Sequence, residues 1–238
     1  MKAILLAGGK GTRLRPYTNV LPKPLMPIGH FPILEIVLRR LRAAGITEVI
    51  ICVGYLHHLL ESYFGDGQKW DVRISYSREE EPLGTAGPIS LVEGLDEDFL
   101  VMNGDILTDL PFEDLIALHK SDNAVATVTT YKKTVNVNLG VLDINGAGRI
   151  VDYAEKPVFD YWVSMGVYMF SPAVLTYLER GKYLDLPNLI RLLLNAERKV
   201  CCFRHEGTWF DLGRKEDYEA IATEEKFAFS LIPEAVMQ

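Results

Sequence analysis

Residues 1–25 read MKAILLAGGKGTRLRPYTNVLPKPL. Ala3 to Ala7 is an unbroken apolar run, far too short to cross a bilayer and long enough for a strand buried on both faces. Gly8, Gly9 and Gly11 end it at once. A basic stretch without a single acid follows, with Lys10, Arg13, Arg15 and Lys23, and the first carboxylate of a chain of net charge −7 is Glu35. A buried strand feeding a glycine-rich turn is how an open, mostly parallel α/β sheet begins, and ligands of such sheets sit outside the carboxyl ends of their strands.

The residues beyond it continue that cadence. Apolar positions 33, 34, 36, 37, 38 and 41 predict a helix over 32–44, with Pro32 in its first turn and Gly45 as its stop. A strand is expected at 48–53, a helix at 56–64, a strand at 73–77 and a helix at 85–94. A strand at 99–102 follows, ending at Asn103-Gly104-Asp105, then a helix at 112–120 and β-rich residues at 124–131. The implied fold is a Rossmann-like three-layer α/β/α sandwich with a mixed, mostly parallel central sheet. From residue 124 strand-like pieces follow one another (139–144, 149–155, 162–170). Helices at 172–179 and 186–196, a strand at 199–204 and a last helix at about 214–228 complete the pattern. The chain reads as a single domain over 1–238, its second half extending the same sheet, with no hexapeptide repeat and so no β-helix domain.

Composition narrows the classes. The apolar share is 48% and the charged share 24%, ordinary for a globular protein. A pI near 5.3 with scattered charge argues against nucleic acid, and no apolar run is long enough for a membrane span. The cysteines, Cys52, Cys201 and Cys202, are odd in number and two are adjacent. That points to a reducing compartment, the cytoplasm, rather than a disulfide framework. Cys201-Cys202 is expected in a buried strand, and Leu189–Leu194 as a core or subunit-contact face. His57-His58 lacks a third ligand at helical spacing, so no zinc site is expected. Asp109 and Asp114 read as turn or cap residues. The apolar segment 227–238 has two docking places open, the domain itself or a second copy, and a homodimer is preferred.

Gly8–Gly11 is either a plain turn or a phosphate cradle. Glycines let backbone N–H groups approach phosphate oxygens, and Arg13 adds a planar fork suited to bidentate phosphate contact. The dinucleotide fingerprint would need glycine where Leu14 stands. The Walker loop would need Ser or Thr where Gly11 stands.

LAGGKGTRLRP (6–16) with LPKPL (21–25) closely resembles the signature of the sugar-1-phosphate nucleotidyltransferases. EEEPLGTAGP (79–88), NGD (103–105), LGV (139–141), EKP (155–157), MGVYMF (165–170) and WFDLG (209–213) follow in that family's order. EEEPLGTAGP looks most like the mannose-1-phosphate guanylyltransferases; without their β-helix, the chain resembles the short single-domain members. The resemblance implies transfer of a nucleotidyl group from a nucleoside triphosphate to a sugar 1-phosphate, giving an NDP-sugar and pyrophosphate. Residues 1–123 would then be the nucleotide-binding half, and 124–238 the sugar-binding half and C-terminal helix.

Residue by residue, the resemblance puts Leu6, Ala7, Gly8, Gly9, Gly11, Thr12 and Arg13 on the nucleotide. Arg13 and Lys23 act on the phosphates, and Lys23 is held out on a loop stiffened by two prolines. Asp105 and Asp211 are the expected Mg²⁺ ligands. Asn103, Gly140, Glu155, Lys156 and Gly166 are expected around the sugar phosphate. Gly84 and Thr85 belong to the loop that faces the base. Pyrimidine-using relatives carry Gln about five residues before that loop's glycine, where this chain has Glu79. A carboxylate accepts both adjacent donors of guanine, so Glu79, or Glu80 if the loop is shifted, favours GTP. UTP, dTTP or CTP remains an alternative, as does a solvated acidic turn at 77–81. A second alternative is a non-catalytic NDP-sugar-binding regulatory subunit, expected to have lost Arg13, Lys23 or a metal Asp; this chain keeps them all.

Overall fold

The computed structural model describes residues 1–213, 215–222 and 230–232. Its strands are β1 (Lys2–Leu6), β2 (Pro27–Ile28), β3 (Phe31–Pro32), β4 (Glu48–Val53), β5 (Arg73–Arg78), β6 (Phe99–Asn103) and β7 (Ile106–Thr108). They continue with β8 (Ala126–Asn136), β9 (Gly140–Ile144), β10 (Ile150–Glu155), β11 (Val158–Phe170), β12 (Val200–His205) and β13 (Trp209–Asp211). The helices are α1 (Ile33–Ala43), α2 (His57–Phe64), α3 (Phe112–Asp122), α4 (Leu186–Asn195) and α5 (Lys215–Ala222).

Seven strands form the main sheet in the order β12-β8-β11-β6-β1-β4-β5. β1 lies between β6 and β4 and is parallel to both, as the two-sided burial of its apolar run requires. β4–β5 and β8–β12 are also parallel, while β11 runs antiparallel to β6 and β8. The expected mixed, mostly parallel sheet is therefore present.

The pleat sends alternate residues of β1 to opposite layers. Ala3 and Leu5 pack with Leu34, Val37, Leu38 and Leu41 of α1, Leu60 and Phe64 of α2, and Phe112 and Leu115 of α3. Ile4 packs on the other face with Phe99, Val101, Phe170 and Leu186, Leu189 and Leu193 of α4. Leu5 is fully buried. Leu5→Ala is expected to cost about 2–5 kcal/mol in urea unfolding, through lost burial and a residual cavity.

Some expectations are corrected. Residues 85–94 form only a short 3-10 turn at Gly87–Leu91, and 172–179 one at Pro172–Tyr177; in both a proline opens the turn, and neither segment winds into an α-helix. β9 and β10 do not extend the main sheet but form a separate two-stranded sheet. Together with the distal halves of β8 and β11 they make an arm with exposed Leu142, Ile144, Ile150, Val151 and Trp162. Cys202 is exposed and Cys201 half-buried, because β12 is an edge strand. The helix expected at 214–228 and the segment 227–238 lie partly outside the described residues. Leu231 and Ile232 are described, and they pack on the chain's own third cluster with Leu14, Met26, Ile33 and Leu212.

Candidate functional site

The carboxyl ends of β1, β4, β5 and β6 lie at one edge of the sheet, and most of the candidate residues follow them directly. Beyond Leu6, the Ala7 N–H donates to the Cys52 carbonyl (2.8 Å) and the Gly104 N–H to the Leu6 carbonyl (2.9 Å). These bonds tie the Gly8–Gly11 loop to the segments after β4 and β6. Gly11 has φ +58, the left-handed conformation that favours glycine, and it opens the 3-10 turn Thr12–Leu14 that carries Arg13. The side chains of Thr12 and Arg13 are exposed, while Leu14 is buried and anchors the turn.

Glu79 follows β5, and its N–H donates to the Val53 carbonyl (3.0 Å). Its Oε2 accepts the Leu83 N–H (3.0 Å). Its Oε1 occupies the space that a Cβ on Gly8 would need, so glycine at position 8 is what admits the carboxylate to the loop. Burial pushes the Glu79 carboxyl above its ordinary range, partly offset by the Leu83 N–H. Burial and the Glu79 charge push the Cys52 thiol up to about 12. Glu80 is exposed.

The loop at Gly84 and Thr85 is fastened to the start of α4. Asp185 Oδ1 accepts the Thr85 N–H (3.1 Å) and hydroxyl (3.3 Å), and Thr85 Oγ1 accepts the Leu186 N–H (2.7 Å). The Thr85 side chain therefore caps a helix. Asp185 was not singled out from the sequence. Its place just before Leu-Pro is a helix-start signal, but its partner lies 100 residues away.

Lys23 is not held out on its loop. It sits in a 3-10 turn, is 8% exposed, and its ammonium forms an ion pair with Asp105 Oδ2. Asp105 follows β6, and its carbonyl accepts the Leu212 N–H (3.3 Å). The short ladder between β7 and β13 sets Asp211 opposite Ile106, so the chain around Asp211 runs beside the chain around Asp105. Asp211 Oδ1 accepts the Gly213 N–H (2.9 Å). A Cβ on Gly213 would lie 2.9 Å from Asp211 Oδ1 and 3.0 Å from Arg13 Nη2, so Arg13 and Asp211 meet there. Arg13, Lys23, Asp105 and Asp211 thus come from four separate stretches to one end of the sheet.

Among the expected sugar-side residues, Asn103 and Gly166 meet: a Cβ on Gly166 would lie 2.6 Å from Asn103 Nδ2. Gly166 sits where the β11 register on β8 shifts. Gly140 and Glu155 are cross-strand partners in the β9–β10 sheet, where Glu155 accepts the Tyr153 hydroxyl (2.8 Å). Lys156 follows at φ +46. All three are exposed and belong to the arm rather than to the main sheet.

A family model described as nucleotidyl transferase matches residues 2–226. The chain belongs to the nucleotidyl transferase family. This nucleotidyl transferase is 35% identical over 240 residues to a UTP--glucose-1-phosphate uridylyltransferase of Synechocystis sp., covering 92% of the chain and 61% of that relative. It is 38% identical over 226 residues to mannose-1-phosphate guanyltransferase beta-B of Xenopus laevis, covering 92% of the chain and 62% of the relative. The chain thus spans about three-fifths of the length of these curated relatives. A Bacillus anthracis structure assigned to the glucose-1-phosphate thymidylyltransferases superposes with a TM-score of 0.76 at 25% identity, covering 94% of this chain and 96% of that one. HddC from Yersinia pseudotuberculosis shares the fold, with a TM-score of 0.72 at 24% identity. Among the described residues no helix is long and apolar enough to cross a membrane.

Proposed function

We propose that this nucleotidyl transferase moves a nucleotidyl group from a nucleoside triphosphate, GTP favoured, to a sugar 1-phosphate, releasing pyrophosphate. The observation that carries the reading is the meeting of Arg13, Lys23, Asp105 and Asp211 at the loop-bearing end of the sheet. Family membership and the sugar-1-phosphate relatives support it.

The nucleophile is a phosphate oxygen of the sugar 1-phosphate, already largely dianionic at neutral pH because its second pKa is about 6. It bonds to the α-phosphorus as the α–β bridging bond breaks, and the electron pair leaves with pyrophosphate. No general base is needed. The protein has to bring two polyanions together and stabilise charge on the α-phosphoryl oxygens. The Gly8–Gly11 backbone and Arg13 hold the triphosphate, and Lys23 turns from Asp105 to the α-phosphate. Asn103, Gly140, Glu155, Lys156 and Gly166 are proposed for the sugar phosphate.

Asp105, in the turn just before β7, and Asp211, in the paired strand β13, offer hard oxygen donors, which fits Mg²⁺ completed by phosphate oxygens and water. When bound there, Mg²⁺ would supply positive charge between the phosphates. The cytoplasm is the proposed compartment, supported by three free thiols, and a homodimer is the proposed assembly.

The test is pyrophosphate release with Mg²⁺ across four triphosphates and a panel of sugar 1-phosphates. The expected result is turnover with GTP ahead of the pyrimidine triphosphates; silence across every pairing would revive the regulatory-subunit reading. Glu79→Gln is expected to cut the GTP preference about tenfold or more, since a buried donor then loses its acceptor. Guanine recognition needs the ionised carboxylate. The GTP preference should therefore fade as pH drops through the raised Glu79 pKa, at a higher pH than an ordinary carboxylate would give. Product ratios measured against pH check this, and an unchanged preference in Glu79→Gln would overturn the guanine reading.

A further inference from the structure

The ladder that carries Asp211 is only three residue pairs long: Trp209 with Thr108, Phe210 with Leu107 and Asp211 with Ile106. Two short strands on their own are marginal in water, and a one-residue slip turns every side chain to the opposite face. A slip in β13 would therefore turn the Asp211 side chain to the face opposite the one it now shares with Arg13. Something must fix this register, and a dense polar knot lies at the far end of the ladder.

Asp109, directly after β7, accepts the Thr208 N–H at Oδ1 (2.7 Å) and donates its own N–H to the Thr208 carbonyl (3.3 Å). Thr108 Oγ1 donates to that same carbonyl (2.7 Å). His205, the last residue of β12 and 6% exposed, places Nε2 2.8 Å from Asp109 Oδ1 and 3.3 Å from the Thr208 carbonyl. Gly207 completes the knot. A Cβ there would lie 2.5 Å from Asp109 Oδ1 and 2.8 Å from His205 Cε1. The turn between β12 and β13 is thus locked onto the residue that ends β7, and one carboxylate oxygen serves both a backbone N–H and the imidazole.

We infer that Asp109 and His205 are positioning residues that set the register of β13 and so aim Asp211 at Asp105. Neither touches the reacting atoms. The inference rests on the metal reading of Asp105 and Asp211 and adds the device that keeps the two carboxylates together.

The test uses the full chain and three variants. His205→Leu keeps bulk and removes the ring nitrogens. Asp109→Ala removes the shared acceptor. His205→Gln returns an N–H close to the Nε2 position. Backbone hydrogen exchange is followed in peptides spanning 206–213, and Mn²⁺ binding by electron paramagnetic resonance with a non-hydrolysable triphosphate present. The expected result is faster exchange confined to 206–213 in His205→Leu and Asp109→Ala. Mn²⁺ binding should weaken by about 10–100-fold, the range for residues that orient metal ligands. His205→Gln should recover most of both. If a variant unfolds, His205→Gln decides alone: exchange and Mn²⁺ binding near wild type support the inference, and loss of both with the fold intact overturns it. Unchanged exchange in folded His205→Leu and Asp109→Ala, or faster exchange with unchanged Mn²⁺ binding, also overturns it. A wild-type chain that binds no Mn²⁺ defeats the metal reading itself; folded His205→Leu and Asp109→Ala that bind as the wild type does defeat only the positioning role.

Discussion

Lys23→Met is expected to lower kcat by about 10²–10³-fold, the usual cost of removing one group that stabilises developing charge. The same change has a second effect that a solvated lysine would not give. Lys23 and Asp105 are paired with side-chain exposures of 9% and 25%. Methionine keeps the stem's packing and leaves the Asp105 carboxylate without its counter-charge. Breaking one side of a buried pair costs about 3–5 kcal/mol, and the residual exposure of Asp105 places this case at or below the lower end. Mg²⁺ should return part of that stability to the variant, because it supplies the missing charge, and should stabilise the wild type less, where it must compete with Lys23. Thermal melts with and without Mg²⁺ read this directly. Equal Mg²⁺ stabilisation of both proteins would mean that the ammonium and the metal do not share Asp105.

Asp211→Asn is expected to reduce turnover by a similar factor of about 10²–10³ while barely moving the melt. The amide oxygen still accepts the Gly213 N–H, so the turn after β13 keeps its bond. What is lost is the negative charge beside Arg13. The Mg²⁺ concentration for half-maximal velocity should rise, and a stability change much above about 1 kcal/mol would show that Asp211 serves the fold rather than the site. Stopped-time pyrophosphate assays over a Mg²⁺ series, paired with urea unfolding, separate the two.

Much of the fold was legible because its signals are local. Ala3–Ala7 is apolar on both faces, and only a central parallel strand uses such a run; β1 is that strand. Positions 33, 34, 37, 38 and 41 all face the core at helical spacing. The stretch 85–94 misled because its apolar residues sit at helix-like intervals, while Thr85 is committed to Asp185 and Pro88 opens a short turn. Cys201-Cys202 looked like core because nothing in a strand's own sequence says whether it lies at an edge. The place of the glycines and of Asp105 just beyond β1 and β6 was readable from the apolar runs before them. The burial of Lys23 was not. Pro-Lys-Pro reports a stiff backbone, and the ion pair depends on a residue 82 positions away. Asp109 suffered the same way, since its turn becomes a clamp only when a histidine 96 positions later packs against it.

The pairing of β7 with β13 joins residues made far apart in time. Asp211 leaves the ribosome about 5–20 s after Ile106 at ordinary rates of synthesis. By then every strand of the main sheet has been made. Until that moment Asp105 has Lys23 for company and no second carboxylate. The growing chain thus has the strands of its main sheet in hand before the β7–β13 ladder can set Asp211 beside the chain around Asp105, the juxtaposition on which the proposed divalent-cation site depends.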